Sequence, residues 1–366
     1  VRHGRTLGSP ILLIVRNRDW ENWTRVMQVE PLTDADAAEL LAAAAEGNKR
    51  ATPVTKVRPG HADLAGALKY GFDDVRNVLE RASARETAAR VAAGGVAKAL
   101  LEALGVEIWS FTAEVGGIAV DPSNCTRSRE EVDESPLRCP DPSAEGEMIA
   151  RIDAARDAGN TVGGIFEVVV TGLPIGLGSY VHWDRRLDGA LAQALMSIQS
   201  VKGVEFGLGF EQTRRFGSEV HDVIEGRTPA GDWVHRTNRA GGLTGGVSNG
   251  EPLVIRAAVK PISTLARPLP SADLISGEKV EKAHYERSDI SVVPAAGVIG
   301  EAMTALALVP FVLEKLGGDS LDEIKANLAS LRARMNAPRR APTAGGRADP
   351  ETDASGTSAA GSGGDD

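Results

Sequence analysis

Residues 247–262 read VSNGEPLVIRAAVKPI. Asn249-Gly250 is a dipeptide that turns a chain tightly between two extended segments, because both residues tolerate positive φ. The aliphatic run from Leu253 reads as a strand. A doubly wound fold would follow each strand with a helix that crosses to a parallel neighbour, and a hairpin signal speaks for antiparallel neighbours instead. The expected fold class is therefore α+β, with a mixed or antiparallel sheet.

Helices and strands alternate on either side of this stretch. An apolar strand is expected at about 12–15. LTDADAAELLAAAAEG reads as a helix with Thr33 or Asp34 near its N-cap and Gly47 at its end. The Ala-rich stretch 73–105 has apolar residues at helical spacing, interrupted by Gly94 and Gly95. VEIWSFTAEVGGIAV is β-like, and 121–143 is a polar loop containing prolines. A helix (GEMIARIDAARDAG), a strand (GGIFEVVVTGLP), a helix through 187–198 and a strand (VKGVEFGLGF) follow. Helices are expected at 302–316 and 321–335. The Pro/Gly/Ser/Asp tail, 337–366, cannot bury a core and should be disordered. The units ALGVEIWSFTAEVGGIAV and AARDAGNTVGGIFEVVV are faintly alike, which hints at an internal duplication.

Composition narrows the function. The chain has 366 residues, 42% of them hydrophobic, enough for a large core. The formal net charge of -9, with no long Lys/Arg run, argues against a nucleic-acid partner. An anionic ligand would need local arginines to override that field. Cys125 and Cys139 are too few for a disulfide framework and lack zinc spacing, so free thiols in a reducing cytoplasm are expected. No signal peptide is recognised. ISVVPAAGVIGEAMTALALVPFVL is long and apolar. Pro294, Glu301 and Pro310 interrupt it, so it reads as a buried core helix and no membrane is implied. The chain opens on Val1 with a strand-like run, so either it continues upstream or translation starts at a non-standard codon.

Several short clusters carry chemistry. KVRPGHADLAG sets Lys56, Arg58, His61 and Asp63 around Pro59-Gly60, at the mouth of a helix. It is either a plain loop or a cationic acid/base site. ERASARET alternates Arg81, Ser83 and Arg85, a spacing that does not share one helix face. The segment therefore unwinds or serves different ligands, and arginine forks beside a hydroxyl suit phosphate. AAVKPIST places Lys260, Ser263 and Thr264 at a strand end, a plausible phosphate grip. TNRAGGLTGGVSNGEP is rich in glycine, and HYERSDI holds Arg287 and Asp289 before the apolar helix. TGLPIGLGSYVHWDRR departs from a dinucleotide fingerprint and reads as a turn, with His182, Trp183 and Asp184 able to line a site or an interface. No nucleophile elbow, metal-spaced cluster or P-loop occurs.

Taken together, VRHGRTLGSPI, RPGHADLAGALKYGFDDVRNVLERASARETAARVAAGGVAK, VDESPLRCPDP, TGLPIGLGSYVHWDRRLDGALAQALMSIQSVKGVEFGLGF, TNRAGGLTGGVSNGEPLVIRAAVKPISTL and RSDISVVPAAGVIGEAMTALAL resemble the chorismate synthase family, in order along residues 1–335. The resemblance implies a single catalytic domain over 1–336, folded as a β-α-β sandwich with internal duplication and assembled as a homotetramer. It implies loss of phosphate and a ring hydrogen from 5-enolpyruvylshikimate 3-phosphate, with reduced FMN as cofactor. By the same resemblance His61 protonates the reduced flavin and Asp289 assists proton removal there. Arg58 and Arg85 hold substrate. Arg81, Ala82 and Ser83, then Gln199 and Ser200, then Gly245, then Lys260, Pro261, Ile262, Ser263 and Thr264, and last Arg287, contact FMN. The family's Gly-Glu-Ser-His-Gly and Gly-Arg-Gly-x-Arg motifs precede VRHGRT and are not in this sequence, and His3 is no substitute for the histidine among them. The expectation is a truncated chain of low activity. The alternative is a non-catalytic flavin-binding homologue.

Overall fold

The computed structural model describes residues 1–229 and 231–337. The disordered tail expected at 337–366 lies, after Ala337, outside the described residues. The first part of the chain is irregular. Residues 12–15 form no strand, since no neighbour among the described residues supplies a ladder, and Leu12 is 82% exposed. Helix α1 (Asp34–Ala45) begins where expected, with a capping box between Thr33 and Asp36.

Helices α2 (Asp63–Tyr70), α3 (Arg76–Ala82) and α4 (Thr87–Glu102) follow. The break in the Ala-rich stretch falls at Ser83, whose backbone is extended, and not at Gly94-Gly95, which lie inside α4. Gly94 is small for a packing reason: a Cβ there would sit 2.3 Å from the Ala302 Cβ. Strand β1 (Glu107–Val115) turns into β2 (Ile118–Ala119). The loop expected at 121–143 contains α5 (Arg129–Glu134), started by a Ser128/Glu131 capping box. Then come α6 (Pro142–Asp157), β3 (Gly164–Thr171), α7 (Leu187–Met196) and β4 (Val201–Phe206). A region of short elements holds α8 (Gly217–Val220), the hairpin β5 (Ile224–Arg227) with β6 (Trp233–His235), and the hairpin β7 (Leu243–Thr244) with β8 (Val247–Ser248). Strand β9 (Leu253–Val259), the pair β10 (Ser271–Ala272) and β11 (Lys279–Val280), and helices α9 (Val293–Leu316) and α10 (Leu321–Asn336) complete the fold.

The main sheet has the order β2-β1-β3-β9-β4, and every pairing in it is antiparallel. The α+β expectation holds, but not through the expected hairpin. Asn249-Gly250 joins β8 to β9, whereas β8 pairs back on β7, with the turn at Gly245-Gly246. Gly250, at φ +96°, only redirects the chain into β9. That strand pairs with β3 and β4, which are distant in sequence.

One face of the sheet carries the core. Leu253, Ile255, Ala257 and Val259 alternate inward along β9 beside Phe166, Val168 and Val170 of β3. Each such large aliphatic contributes roughly 1.5–3 kcal/mol on burial. Helices α4, α7 and α9 cover this face. Helix α9 starts at Val293, earlier than expected, because Pro294 is tolerated in the first turn, and it continues through Pro310. It is long and apolar enough to cross a membrane, yet 50% of that window is buried in the protein, as suits a core helix. Its buried carboxylate, Glu301, is satisfied from α4, β1 and the loop before α6. Lys98 Nζ donates to Oε2 at 2.6 Å, and Ser110 Oγ and Arg138 Nη2 donate to Oε1 at 2.7 and 3.0 Å.

Candidate active site

The segment before Pro59 is tied to the start of the β10–β11 pair. Leu274 N–H donates to the Thr55 carbonyl at 2.8 Å, and Ser271 Oγ donates to that of Val57 at 2.6 Å. Pro59 then fixes one φ and Gly60 takes φ +77°, with His61 N–H donating to the Arg58 carbonyl at 3.3 Å. Proline followed by a left-handed glycine is the chemistry of a type II turn. The turn brings Arg58 and His61 together over Asp63, the first residue of α2.

Asp63 is fully buried and organises this corner. Its Oδ2 accepts from the Arg58 backbone N–H at 3.0 Å and from Nε at 2.8 Å, and its Oδ1 accepts from Arg58 Nη2 at 3.0 Å. The same Oδ1 meets His61 Nδ1 at 2.5 Å. Burial alone would raise the Asp63 pKa. The hydrogen bonds from His61 and Arg58 outweigh it and hold the carboxyl well below the usual range. Arg58 Nη1 donates to Thr264 Oγ1 at 3.2 Å, so the guanidinium is largely engaged within the protein.

Four further segments join this corner around a cleft of about 760 Å³. Helix α3 ends at Ala82, and Ser83 leaves the helical path, so the local unwinding expected from Arg81, Ser83 and Arg85 is present. After α7, Gln199 and Ser200 lead into β4. Ser200 takes φ +71°, which is uncommon for a residue with a side chain, and a bulge follows at Val201/Gly203. Beyond β9 runs Lys260–Thr264, and before α9 lie Arg287 and Asp289. Lys260 Nζ donates to the Gly60 carbonyl, and Thr161 Oγ1 donates to that of Ile262 at 2.7 Å, fixing this strand end.

The cleft gathers Arg58, His61, Ala82, Ser83, Arg85, Gln199, Ser200, Lys260, Ile262, Ser263, Thr264, Arg287 and Asp289 in its lining. Arg81 and Pro261 are adjacent in sequence but outside it. Gly245 is elsewhere, in the β7–β8 turn, at the far ends of α7 and β9. Seven residues of extended strand place it roughly 20 Å from the Lys260 end. An apolar pocket of about 490 Å³, lined in part by Ile224, Trp233 and Val247, lies at that far end. Trp183, 85% exposed, lines neither cavity. Sequence reading missed Lys202 and Glu286, both in the cleft lining. It noted Asp63 without giving it a role, although the His-x-Asp spacing was a usable signal.

Electrostatics suit an anion. Arg58, Arg85, Lys202, Lys260 and Arg287 line the cleft against two acids, Glu286 and Asp289. Burial, and then the neighbouring Lys202, push the Lys260 pKa down. Gln199 Nε2 donates to Glu86 Oε1 at 2.6 Å, while its buried Oε1 accepts from no protein group in the described structure. A ligand N–H would complete it.

An antiparallel α+β scaffold carries a cationic cleft with an Asp–His pair in its wall, an arrangement that suits a multiply charged anion. Comparison with known proteins makes this specific. The model of the chorismate synthase family matches residues 1–313. A chorismate synthase from Desulforudis audaxviator is 54% identical over 343 residues, covering 93% of this chain and 83% of that protein. One from Nocardia farcinica is 52% identical, covering 92% and 81%. A crystal structure of chorismate synthase superposes with a TM-score of 0.64 at 42% identity, over 75% of this chain and 77% of that one. The chain belongs to the chorismate synthase family, lyases that act on a phosphate ester.

Proposed function

We propose that this chain forms chorismate from 5-enolpyruvylshikimate 3-phosphate in the cleft between the Arg58–His61 turn, Ser83, Ser200, Lys260–Thr264 and Arg287. The convergence of those separate segments on one cationic cleft carries the proposal. The reaction breaks one C–H and one C–O bond of the substrate, in a 1,4-anti sense, and forms a double bond. Phosphate leaves, and there is no net oxidation.

The family uses reduced FMN, and the residues present fit it. The unpartnered Gln199 Oε1 suits the N–H of a flavin ring, and Ser83, Lys260, Ser263 and Arg287 suit its phosphate. When bound there, reduced FMN would supply transient electron donation to the elimination, with no net redox change. Ala82, Ser200, Pro261, Ile262 and Thr264 shape the same wall, with Arg81 beside it. Gly245, at the far end of the sheet, is not given a cofactor contact within one chain. Arg85 and Lys202 hold substrate anions, while Arg58 supports the turn more than it grips a ligand. His61 holds a proton at a ring nitrogen, and Asp289 is a carboxylate that can accept one. Residues 1–336 act as one catalytic unit, with α4–β1 and α6–β3 as duplicated halves. The working assembly is a cytoplasmic homotetramer.

The test is anaerobic mixing of substrate and reduced FMN, following chorismate absorbance and phosphate release together. It is run on this chain, with the Desulforudis audaxviator relative as the positive control. Equal amounts of chorismate and phosphate are expected from both. Tight FMN binding by this chain with no turnover would replace this reading with a non-catalytic flavin-binding homologue.

A further inference from the structure

We propose that Asp63 is the positioning residue of this site, keeping the proton of His61 on Nδ1 so that Nε2 is the nitrogen that exchanges protons. This rests on the reading that His61 moves a proton in the cleft. Asp63 and Arg58 are both almost inaccessible, with side chains 1% and 6% exposed, while His61 is 20% exposed and lines the cleft. An ionised carboxylate can only accept, so the proton between Asp63 Oδ1 and His61 Nδ1 belongs to the imidazole. Arg58 can only donate, and its Nη2 lies 3.1 Å from Nδ1 and 3.3 Å from Nε2. With Nδ1 protonated, Nε2 carries the ring's lone pair, which faces the Arg58 Nη2 donor at 3.3 Å, and it is the nitrogen left to exchange protons with the cleft.

Asp63 also sets the ring's place. Both its oxygens clamp Arg58, through the backbone N–H as well as the guanidinium, so the acid cannot swing away from the histidine. The Gly60 turn then fixes how far His61 stands from that clamp. The relation is that of an orienting carboxylate behind an acid/base histidine, in which wrong protonation of the ring, and not loss of a contact, is the cost of removal.

Asp63→Asn tests this, since it keeps shape and removes charge. In the protein without flavin, the ¹⁵N spectrum of the His61 imidazole should show the Nδ1–H form in the parent and lose it in Asp63→Asn. Turnover should fall on the order of 10²-fold, with FMN affinity little changed. Adding Asp63→Asn to His61→Asn should cost less than about threefold more, because Asp63 acts through the ring. Asp63→Glu, which retains the carboxylate, should recover part of the rate and the Nδ1–H signature. Asp63→Ser, which also removes the charge, replaces Asp63→Asn in the comparison if the latter does not fold. An unchanged ¹⁵N spectrum, or losses that multiply in the double variant, would reduce Asp63 to a structural tie and overturn the proposal. If instead His61→Asn alone turns over normally, the assigned role of His61 fails, while the spectral result on Asp63 still stands.

Discussion

Gly60 shows what a single residue contributes to the site. Its φ of +77° is open to glycine and costs other residues about 1–2 kcal/mol. A Cβ would meet Ser263 at 3.5 Å, an ordinary contact, so the cost of substitution is backbone strain and not a clash. Gly60→Ala should therefore lower unfolding stability by about 1 kcal/mol in urea titration. It should also lower turnover, since relief of the strain moves His61 off Asp63. The Pro-Gly pair was legible in the sequence, as were the residue types around it. That Arg58 is clamped by Asp63 was not, because the spacing of an acid and a base says nothing of their burial. Lys202 escaped notice for a similar reason: it is one lysine in a strand, and only the fold brings it into the cleft lining with Lys260 and Ser200.

Elements were legible to different degrees. The core helices and long strands announced themselves by period, and their ends less well. Gly94 and Gly95 looked alike as interruptions of a helix, yet their surroundings separate them. Gly94 faces α9, where a Cβ would come within 2.6 Å of the Ala302 Cα, and Gly95 faces open space. Gly94→Ala should push α4 off α9 and cost about 2 kcal/mol. Gly95→Ala should add about 0.5–1 kcal/mol by restricting the unfolded chain. Urea midpoints of the two single variants should move in opposite directions. The Asn249-Gly250 signal gave the right sheet for the wrong reason. Local turn chemistry is readable, but pairing of β9 with β3 and β4 is decided by which faces bury together. For that reason too, Gly245, an FMN contact by resemblance, lies at the other end of the sheet from the cleft.

At the scale of the molecule, a net charge of -9 coexists with a cationic cleft, because most of the acids lie outside it. One of them, Glu167, is placed mid-sheet opposite Phe111 and Arg256. Burial pushes its pKa from the ordinary 4.5 up to about 7, and Arg256 offsets this only in part, being held also by Glu205 at 2.9 Å. The unfolded chain loses this proton near pH 4.5, and the folded chain keeps it until about pH 7. Stability therefore declines as pH rises across that window and levels off above it. Glu167→Gln should be more stable than the parent above pH 7 and gain nothing below pH 4.5, read from urea unfolding at a series of pH values.

The Glu301 cluster has a consequence for how the chain is made. Lys98, Ser110 and Arg138 all precede Glu301 in the sequence, so a ribosome has already delivered all three when α9 emerges. The most apolar helix of the chain thus emerges after all three donors for its carboxylate have been made. That recess accepts this helix and, by leaving Glu301 unpaired anywhere else, discourages other destinations for it.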